Sequence, residues 1–221
     1  MSDRRATIRD SLGVGLAVGA YGFAFGAASV AAGLSVLQSC LLSLFAFTGG
    51  TQFAVVGVVA GGGTLAAALG SGLLLGARNT LYAMRLAPML QVRGPRRLVA
   101  ALGTIDESTA MAVAQKDPEL SRVAFWWTFA GVFTFWNLST LLGAAGAKAF
   151  GDPSRYGLDA VIPAAFLALL ASRLRDGRIE RRVALGGAVI AAVLIPLAPP
   201  GVPVLAATAA VLLATTVRAP S

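Results

Sequence analysis

The chain has 221 residues, of which 57% are hydrophobic and 13% are charged, and its formal net charge is +8. A soluble domain carries about 25% charged residues, so this composition excludes an ordinary soluble protein and indicates an integral membrane protein. The basic residues cluster beside apolar segments and lack the interleaved aromatic residues of proteins that bind single-stranded nucleic acid. This arrangement favours a positive-inside membrane topology over nucleic-acid binding.

The first apolar segment, about residues 11–32, follows a basic tail, residues 1–10, that we expect to be cytoplasmic. Its glycines recur every three or four positions on one helix face: Gly15, Gly19, Gly22 and Gly26. Small residues on one face let a second backbone approach closely, so the pattern predicts a packing face. The apolar run is longer than the 7–15-residue core of a signal peptide, which favours a retained helix.

The second segment, about Leu34 to Ala60, contains a polar interruption. It lies in a charge-free run of 67 residues from Ser11 to Ala77, and it reads Thr48-Gly49-Gly50-Thr51-Gln52-Phe53. Backbone groups freed by such a break cannot face lipid and must face protein, a cavity or a ligand. The break is therefore a candidate substrate site, as in the broken helices of transporters. The alternative is a packing kink, with Thr51 and Gln52 bonded to a neighbouring helix.

The third segment, about Thr64 to Pro88, carries Arg78 and Asn79 in apolar surroundings. A guanidinium at membrane depth costs several kcal/mol unless it is paired or hydrated, so we expect Arg78 to face the protein interior. The alternative is that Arg78 snorkels to the interface. Arg85 lies nearer the segment end and is expected to be an interfacial anchor.

Adjacent carboxylates, Asp106 and Glu107, lie in the next helical segment, Leu98 to Ala114. On a helix they face directions about 100° apart, so one can pair with Arg78 while the other titrates. A surface helix with both carboxylates solvated is the alternative.

The later segments carry fewer polar residues. Trp136-Asn137 lies mid-span in about Val123 to Ala147, and both interhelical bonding and a substrate contact stay open for Asn137. Asp159 starts a segment ending near Ser172, where helix capping alone would account for a carboxylate. Two short segments, about Val183 to Ala198 and Val202 to Val217, end the chain.

These segments predict an all-α, polytopic transmembrane bundle of about 7–8 membrane segments with at least one interrupted helix, forming one domain over residues 1–221. Eight crossings with a cytoplasmic N-terminus place eleven basic residues inside and five outside, in line with the positive-inside rule. We therefore expect Leu98 to Ala114 to cross. A seven-span version with a re-entrant segment around Gly49 stays open, and it would move the Arg93 turn to the cytoplasm.

Six stretches, in order along residues 20–172, resemble the AzlC-type family of branched-chain amino acid exporters. They are Tyr21-Gly22-Phe23 through Gly33-Leu34, Ser43 through Phe53, Ala77-Arg78 with Leu81-Tyr82, Asp106-Glu107-Ser108, Trp136, and Tyr156 through Asp159 with Pro163 and Phe166. The resemblance implies an inner-membrane exporter of branched-chain and similar apolar amino acids that works beside a small AzlD-type membrane partner.

One position departs from the family pattern. The family usually has Asn-x-Arg-His where this chain reads Gly76-Ala77-Arg78-Asn79, and the chain has no histidine. If transport is coupled to protons here, Asp106, Glu107 or Asp159 must titrate instead of a histidine.

The sequence thus predicts a secondary transporter that exports leucine, isoleucine, valine and methionine from the cytoplasm across the inner membrane. An enzyme is not expected, because no metal-ligand spacing occurs and the carboxylate pair lacks a nucleophile partner; no cofactor or metal is implied. The predicted substrate-binding residues are Gly49, Gly50, Thr51, Gln52, Arg78, Asn79, Trp136 and Asn137. The predicted ion-pair or coupling residues are Asp106, Glu107 and Asp159. The rival function is a channel or passive pore, and a homo-oligomer is the alternative to an AzlD-type partner.

Overall fold

The computed structural model describes residues 2–150, 177–199 and 201–212, together with residues 164, 167, 170–171 and 174–175. All regular structure in these ranges is helical. The helices are α1 Ser2–Gly19, α2 Tyr21–Ala31, α3 Val36–Phe45, α4 Gly50–Ala60, α5 Leu65–Gly76, α6 Arg78–Leu90, α7 Arg96–Leu102, α8 Asp106–Val113, α9 Pro118–Phe150, α10 Arg178–Leu194, α11 Val202–Ala207 and a 3-10 turn, Thr208–Val211.

Two long helices lie side by side along the middle of the structure. Of the described chain, Asp3–Ala31, which joins α1 to α2, and Pro118–Ala149 of α9 are the helices long and apolar enough to span a membrane. They run parallel, because contacts advance together along both: Gly15 lies against Gly131, Gly19 against Phe135, and Gly26 against Thr140. Each end of α9 therefore marks one end of the molecule.

The predicted glycine face is the seam between these helices. A Cβ atom added to Gly22 or Gly26 would overlap a carbonyl oxygen of α9, and one added to Gly15 or Gly19 would meet the α9 backbone within 3.0 Å. Gly143 makes the reciprocal contact, with the carbonyl of Phe23. The prediction of a close packing face is confirmed, and the seam is formed largely by backbone on backbone.

Helix α3, the first half of the interrupted segment, extends along only half of α9. Near its start, Ser39 Oγ is hydrogen-bonded to Ser29 Oγ at 2.6 Å. Further on, Ser43 Oγ donates to Asn137 Oδ1 at 2.7 Å. The Phe47 ring then packs on Phe133, with centroids 5.0 Å apart. Successive residues from α3 to Phe47 thus contact Asn137 and then Phe133, which is nearer the N-terminus of α9. α3 therefore runs antiparallel to α9 and ends near its midpoint.

The chain reverses at Gly49, whose φ of +58° favours glycine, and α4 leads back. The direction of α4 can be read from the helices that follow it. α5 and α6 form one kinked helix through Ala77 (φ −57°, ψ −31°). That helix ends beside the start of α9, where Arg122 Nε donates to the carbonyl of Met89 at 3.0 Å. The beginning of α5 therefore lies at the C-terminal end of α9. Since α4 is antiparallel to α5, α3 and α4 form a hairpin that enters and leaves at that end.

A second hairpin, α7 and α8, enters from the opposite end. It begins where α6 stops, with Arg97 Nε donating to the carbonyl of Val92. Halfway up, Gly103 lies against the ring of Phe129. The chain reverses through extended Ile105 (φ −121°, ψ 172°). Helix α8 then returns, so that Ala112 packs in one cluster with Leu86, Leu90 and Phe125 near the start of α9.

The structure thus differs from the prediction that Leu98 to Ala114 crosses the membrane. The limbs of both hairpins have 7 to 11 residues. At 1.5 Å per residue they reach about 10–17 Å, roughly half of a hydrocarbon core about 30 Å thick. The reversal around Gly49 is the geometry that the re-entrant alternative requires, and a second short hairpin faces it.

The C-terminal helices pack beside this centre. α10 begins at Arg178, within the basic loop and five residues before the predicted start, and α11 with its 3-10 turn packs on α10. Leu205 of α11 approaches Gly70 of α5. These elements thus pack against α5.

Candidate functional site

The tips of the two hairpins meet beside the middle of α9 and enclose a small cavity. The first tip contributes Thr48 and Gly49, and the second contributes Ile105 and Glu107. Apolar or aromatic side chains close the remaining walls: Val18, Phe47, Val132 and Trp136. The cavity has about 20 Å³, room for about one water molecule and too small for a larger solute.

Both tips are built by the same device. In the first, Gln52 Oε1 accepts from the Gly49 amide at 3.0 Å, while Nε2 donates to the carbonyl of Leu42 at 3.3 Å. In the second, Ser108 Oγ accepts from the Ile105 amide at 3.2 Å and donates to the carbonyl of Gly103. In both tips the third residue of the returning helix, Gln52 or Ser108, caps the start of that helix. The same side chain also bonds to the preceding half of the hairpin, which holds the reversal in place.

The two returning helices begin at the cavity and run away from it in opposite directions. The first-turn N–H groups of a helix have no partner within that helix, and the helix start carries the positive end of the dipole. The starts of α4 and α8 therefore direct two sets of N–H groups, and two positive dipole ends, towards one central space. Such a space favours an anionic group such as a carboxylate.

Arg78 lies between the two tips. Its Nη2 is 2.7 Å from Asp106 Oδ2, at the start of α8. The same nitrogen would lie 3.6 Å from a Cβ atom placed on Gly50, at the start of α4. The side chains of Arg78 and Asp106 are 39% and 36% exposed, so the pair is reachable and not sealed in the core. One guanidinium thus pairs with the second tip and lies near the first.

Several buried polar atoms around the tips have no hydrogen-bond partner. They are Thr48 Oγ1, Asn79 Oδ1, Asp106 Oδ1 and Trp136 Nε1. Trp136 is 4% exposed, yet its indole N–H donates to nothing. Native proteins seldom leave such groups unsatisfied, so the cluster is suited to a polar ligand.

Some predicted site residues are committed to the fold. Asn137 Nδ2 donates to the carbonyl of Phe133 within α9 at 2.8 Å and its Oδ1 accepts from Ser43 of α3, so Asn137 makes one bond within its helix and one between helices. Gln52 is fully buried and serves the first tip. Thr51 faces Gly72 and Gly76 of α5, away from the cavity. Asp159 lies outside the described residues.

Other lining residues were missed from the sequence. Val18, Phe47, Ile105 and Val132 carry no polar group, and nothing in their local pattern separates them from the other apolar positions of their segments. The sequence did contain a signal for the second tip. Acidic residues typically occupy the first turn of a helix, so Asp106-Glu107 after Gly103 indicates a new helix that begins there.

A larger cavity of about 930 Å³ opens between α6 and α7. It extends from Arg93 and Arg97, at the turn joining these helices, to Thr104 beside the second tip. A neighbouring cavity of about 810 Å³ adds Arg96 and Trp126. Arg93 and Arg97 thus line the larger cavity together with Thr104, whose chain neighbour Ile105 lines the small central cavity.

Comparison with known proteins gives one family and two relatives. A sequence profile of the AzlC protein family matches residues 13–150. An uncharacterized membrane protein of Archaeoglobus fulgidus is 31% identical over 169 residues, covering 76% of this chain and 74% of its own. The inner membrane protein YgaZ of Escherichia coli is 28% identical over 189 residues, covering 81% and 77%. No solved structure gives a significant match.

Proposed function

Because the chain belongs to the AzlC protein family, whose members are membrane transport proteins, we propose that it is a secondary transporter that exports branched-chain and other apolar amino acids. The observation that carries the proposal is the meeting of two re-entrant tips at the middle of the bundle. Half-helices that begin at mid-depth beside unwound backbone are typical of secondary-transporter substrate sites.

The substrate carboxylate would bind at the helix starts. The first turns of α4 and α8 direct N–H groups towards one space, and Arg78 adds a cation that pairs with Asp106 and lies near Gly50. A guanidinium and amide N–H groups bind a carboxylate through charge-assisted hydrogen bonds. Asp106 neutralises Arg78 when no substrate is bound, and the carboxylate of an amino acid would compete for the same guanidinium.

The apolar part of the substrate would lie against the cavity walls. Val18, Phe47, Ile105 and Val132 present only hydrocarbon, which matches leucine, isoleucine, valine or methionine and disfavours polar side chains. If transport is coupled to protons, the carboxylates available for the coupling step are Asp106, Glu107 and Asp159, since the chain has no histidine.

The direction of transport suits the open cavity. Its mouth carries Arg93 and Arg97 and lies at the same end as the N-terminal tail with Arg4, Arg5 and Arg9. By the positive-inside rule this end is cytoplasmic. The cavity would then be the vestibule from which a cytoplasmic amino acid reaches the tips. In line with the family resemblance, a small AzlD-type membrane protein would complete the transporter, which co-purification of such a partner would test.

The test is efflux of leucine, isoleucine, valine and methionine from cells fed dipeptides that contain them. Cells with the chain and a candidate partner should release at least one of these faster than cells without it, and Arg78→Ala should abolish the gain. The matched control is Arg9→Ala, which removes an exposed arginine ion-paired with Asp10 and should leave efflux unchanged.

Normal efflux by a membrane-inserted Arg78→Ala variant would overturn the role of Arg78. Flux that neither saturates nor exchanges one substrate for another would instead identify a passive pore, for which Arg78 and Asp106 would be selectivity charges.

A further inference from the structure

Glu107 is placed differently from its neighbour Asp106. Asp106 is held by Arg78, whereas Glu107, about 100° further around α8, lines the central cavity. No cationic side chain of the described residues forms an ion pair with Glu107, whose carboxylate accepts from its own backbone N–H and interacts with Arg78 only beyond ion-pair distance. The second tip therefore presents one paired carboxylate and one that faces the cavity.

The surroundings of Glu107 suit a cation that the protein does not supply. The walls facing it are mainly hydrocarbon, and an ionised carboxylate in such a site is stabilised when a positive partner pairs with it. The start of α8 offsets part of that cost. Across the cavity, the buried indole N–H of Trp136 and the hydroxyl of Thr48 also have no partner, which independently indicates a polar ligand.

We infer that Glu107 binds the α-ammonium group of the substrate and thereby makes the transporter select amino acids over the corresponding 2-oxo acids. The inference rests on the proposed function and assigns the second charge of the zwitterion. The carboxylate lies at the helix starts beside Arg78, the ammonium group at Glu107, and the side chain against the apolar walls. Glu107 is a specificity residue, which leaves proton coupling to other carboxylates.

The experiment is exchange of leucine for leucine at equal concentrations in proteoliposomes, with no ion gradient, using the chain with its partner if one co-purifies. A residue needed only for coupling is dispensable under these conditions, whereas a residue that binds the substrate is not. The second substrate is 4-methyl-2-oxopentanoate, which has the leucine carbon skeleton and carboxylate but no ammonium group.

The test variant is Glu107→Gln, and the matched control is Glu119→Gln. Glu119 also lies in the first turn of a helix, α9, but it is exposed and outside the cavity. We expect the wild type to exchange leucine in preference to the oxo acid. Glu107→Gln should lower leucine exchange by about tenfold or more, the contribution of a charge-assisted hydrogen bond, while oxo-acid exchange does not fall. Glu119→Gln should match the wild type.

Three results overturn the inference: leucine exchange by Glu107→Gln at the wild-type rate, equal loss of both substrates, or a wild type that accepts the oxo acid as readily as leucine. A wild type that exchanges neither substrate defeats the proposed function itself. If Glu107→Gln does not fold, Glu107→Asp serves instead. It keeps the charge and should retain the preference for leucine with a higher KM, and loss of that preference would contradict the assignment.

Discussion

At the scale of single residues, Arg78 is the charged side chain that lies between the two hairpin tips. It sits at the start of α6, pairs with Asp106 on the second tip and lies beside Gly50 on the first. Under the proposed function the tips separate to admit a substrate, and this ion pair would rearrange as they do. Its partial exposure makes that feasible, because a sealed ion pair would be too costly to open.

A double-mutant cycle measures the strength of this pair. Arg78→Ala and Asp106→Ala should each lower the thermal unfolding midpoint of the detergent-purified protein, because each leaves one charge without its partner. The pair is intermediate in exposure, so we expect a coupling energy of about 1–2 kcal/mol, between exposed and buried pairs. The double variant should therefore be more stable than the sum of the single losses predicts.

Arg9→Ala and Asp10→Ala form the control cycle. That pair is 80% and 56% exposed, and its coupling energy should be near zero. Equal coupling in the two cycles would show that the contact between the tips contributes nothing to stability.

Residue identity alone predicted the charged side chains of the site better than the uncharged polar ones. Arg78 and the carboxylates stood out because ionisable groups are rare in membrane segments and need partners. Asn137 and Gln52 are equally conspicuous in apolar sequence, yet the fold uses both for its own hydrogen bonds. A side-chain amide can form hydrogen bonds with the backbone or with a ligand, so the positions of its neighbours in the fold decide which of the two it binds.

At the scale of helices and hairpins, the sequence showed where a helix breaks but not which way it goes next. Gly49-Gly50 marks the first break, and a kink and a reversal require the same residues there. The direction is set by distant packing, such as Phe47 on Phe133 and α4 on α5. The second break was overlooked because Gly103 stands alone, and an isolated glycine is tolerated within a helix.

The seam between α1–α2 and α9 offers a matched pair of substitutions in one helix. A methyl group on Gly143 would overlap the carbonyl of Phe23, whereas one on Gly146 meets nothing within 4 Å. Gly143→Ala should force the helices apart and lower the free energy of unfolding by about 1–3 kcal/mol. Gly146→Ala should leave it unchanged or raise it by up to about 1 kcal/mol, since alanine is the better helix former.

Thermal unfolding midpoints of the two variants, measured side by side in the same detergent, check this prediction. Equal midpoints would mean that the seam is not closely packed in the protein.

At the scale of the whole molecule, the two hairpins change which turns share a side of the membrane. With both hairpins re-entrant, the N-terminal tail, the α6–α7 turn and the α8–α9 turn lie at one end. That end gathers eight basic residues: Arg4, Arg5, Arg9, Arg93, Arg96, Arg97, Lys116 and Arg122. Among the described residues, Lys148 lies at the other end. We propose that the basic end is cytoplasmic; for the same nine residues eight crossings would place five inside and four outside, a weaker bias.

Cysteine labelling distinguishes the two topologies, because they predict opposite results. In a variant whose single cysteine, Cys40, is replaced by alanine, new cysteines are placed at Gly61, in the α4–α5 turn, or at Pro95, in the α6–α7 turn; both positions are exposed. An impermeant maleimide added to intact cells should label the Gly61 position and leave Pro95 unlabelled until the cells are opened. Labelling of Pro95 alone from outside would restore the eight-crossing topology.

The parallel seam between α1–α2 and α9 also determines the order in which the protein is assembled. Gly15 and its partner Gly131 are 116 residues apart in the chain. At a synthesis rate of about 5–20 residues per second, the first helix waits on the order of ten seconds for the surface that covers its glycines. The seam can therefore form only after α9 has been synthesised, and until then the glycine face of the first helix lacks the partner backbone that covers it in the finished protein.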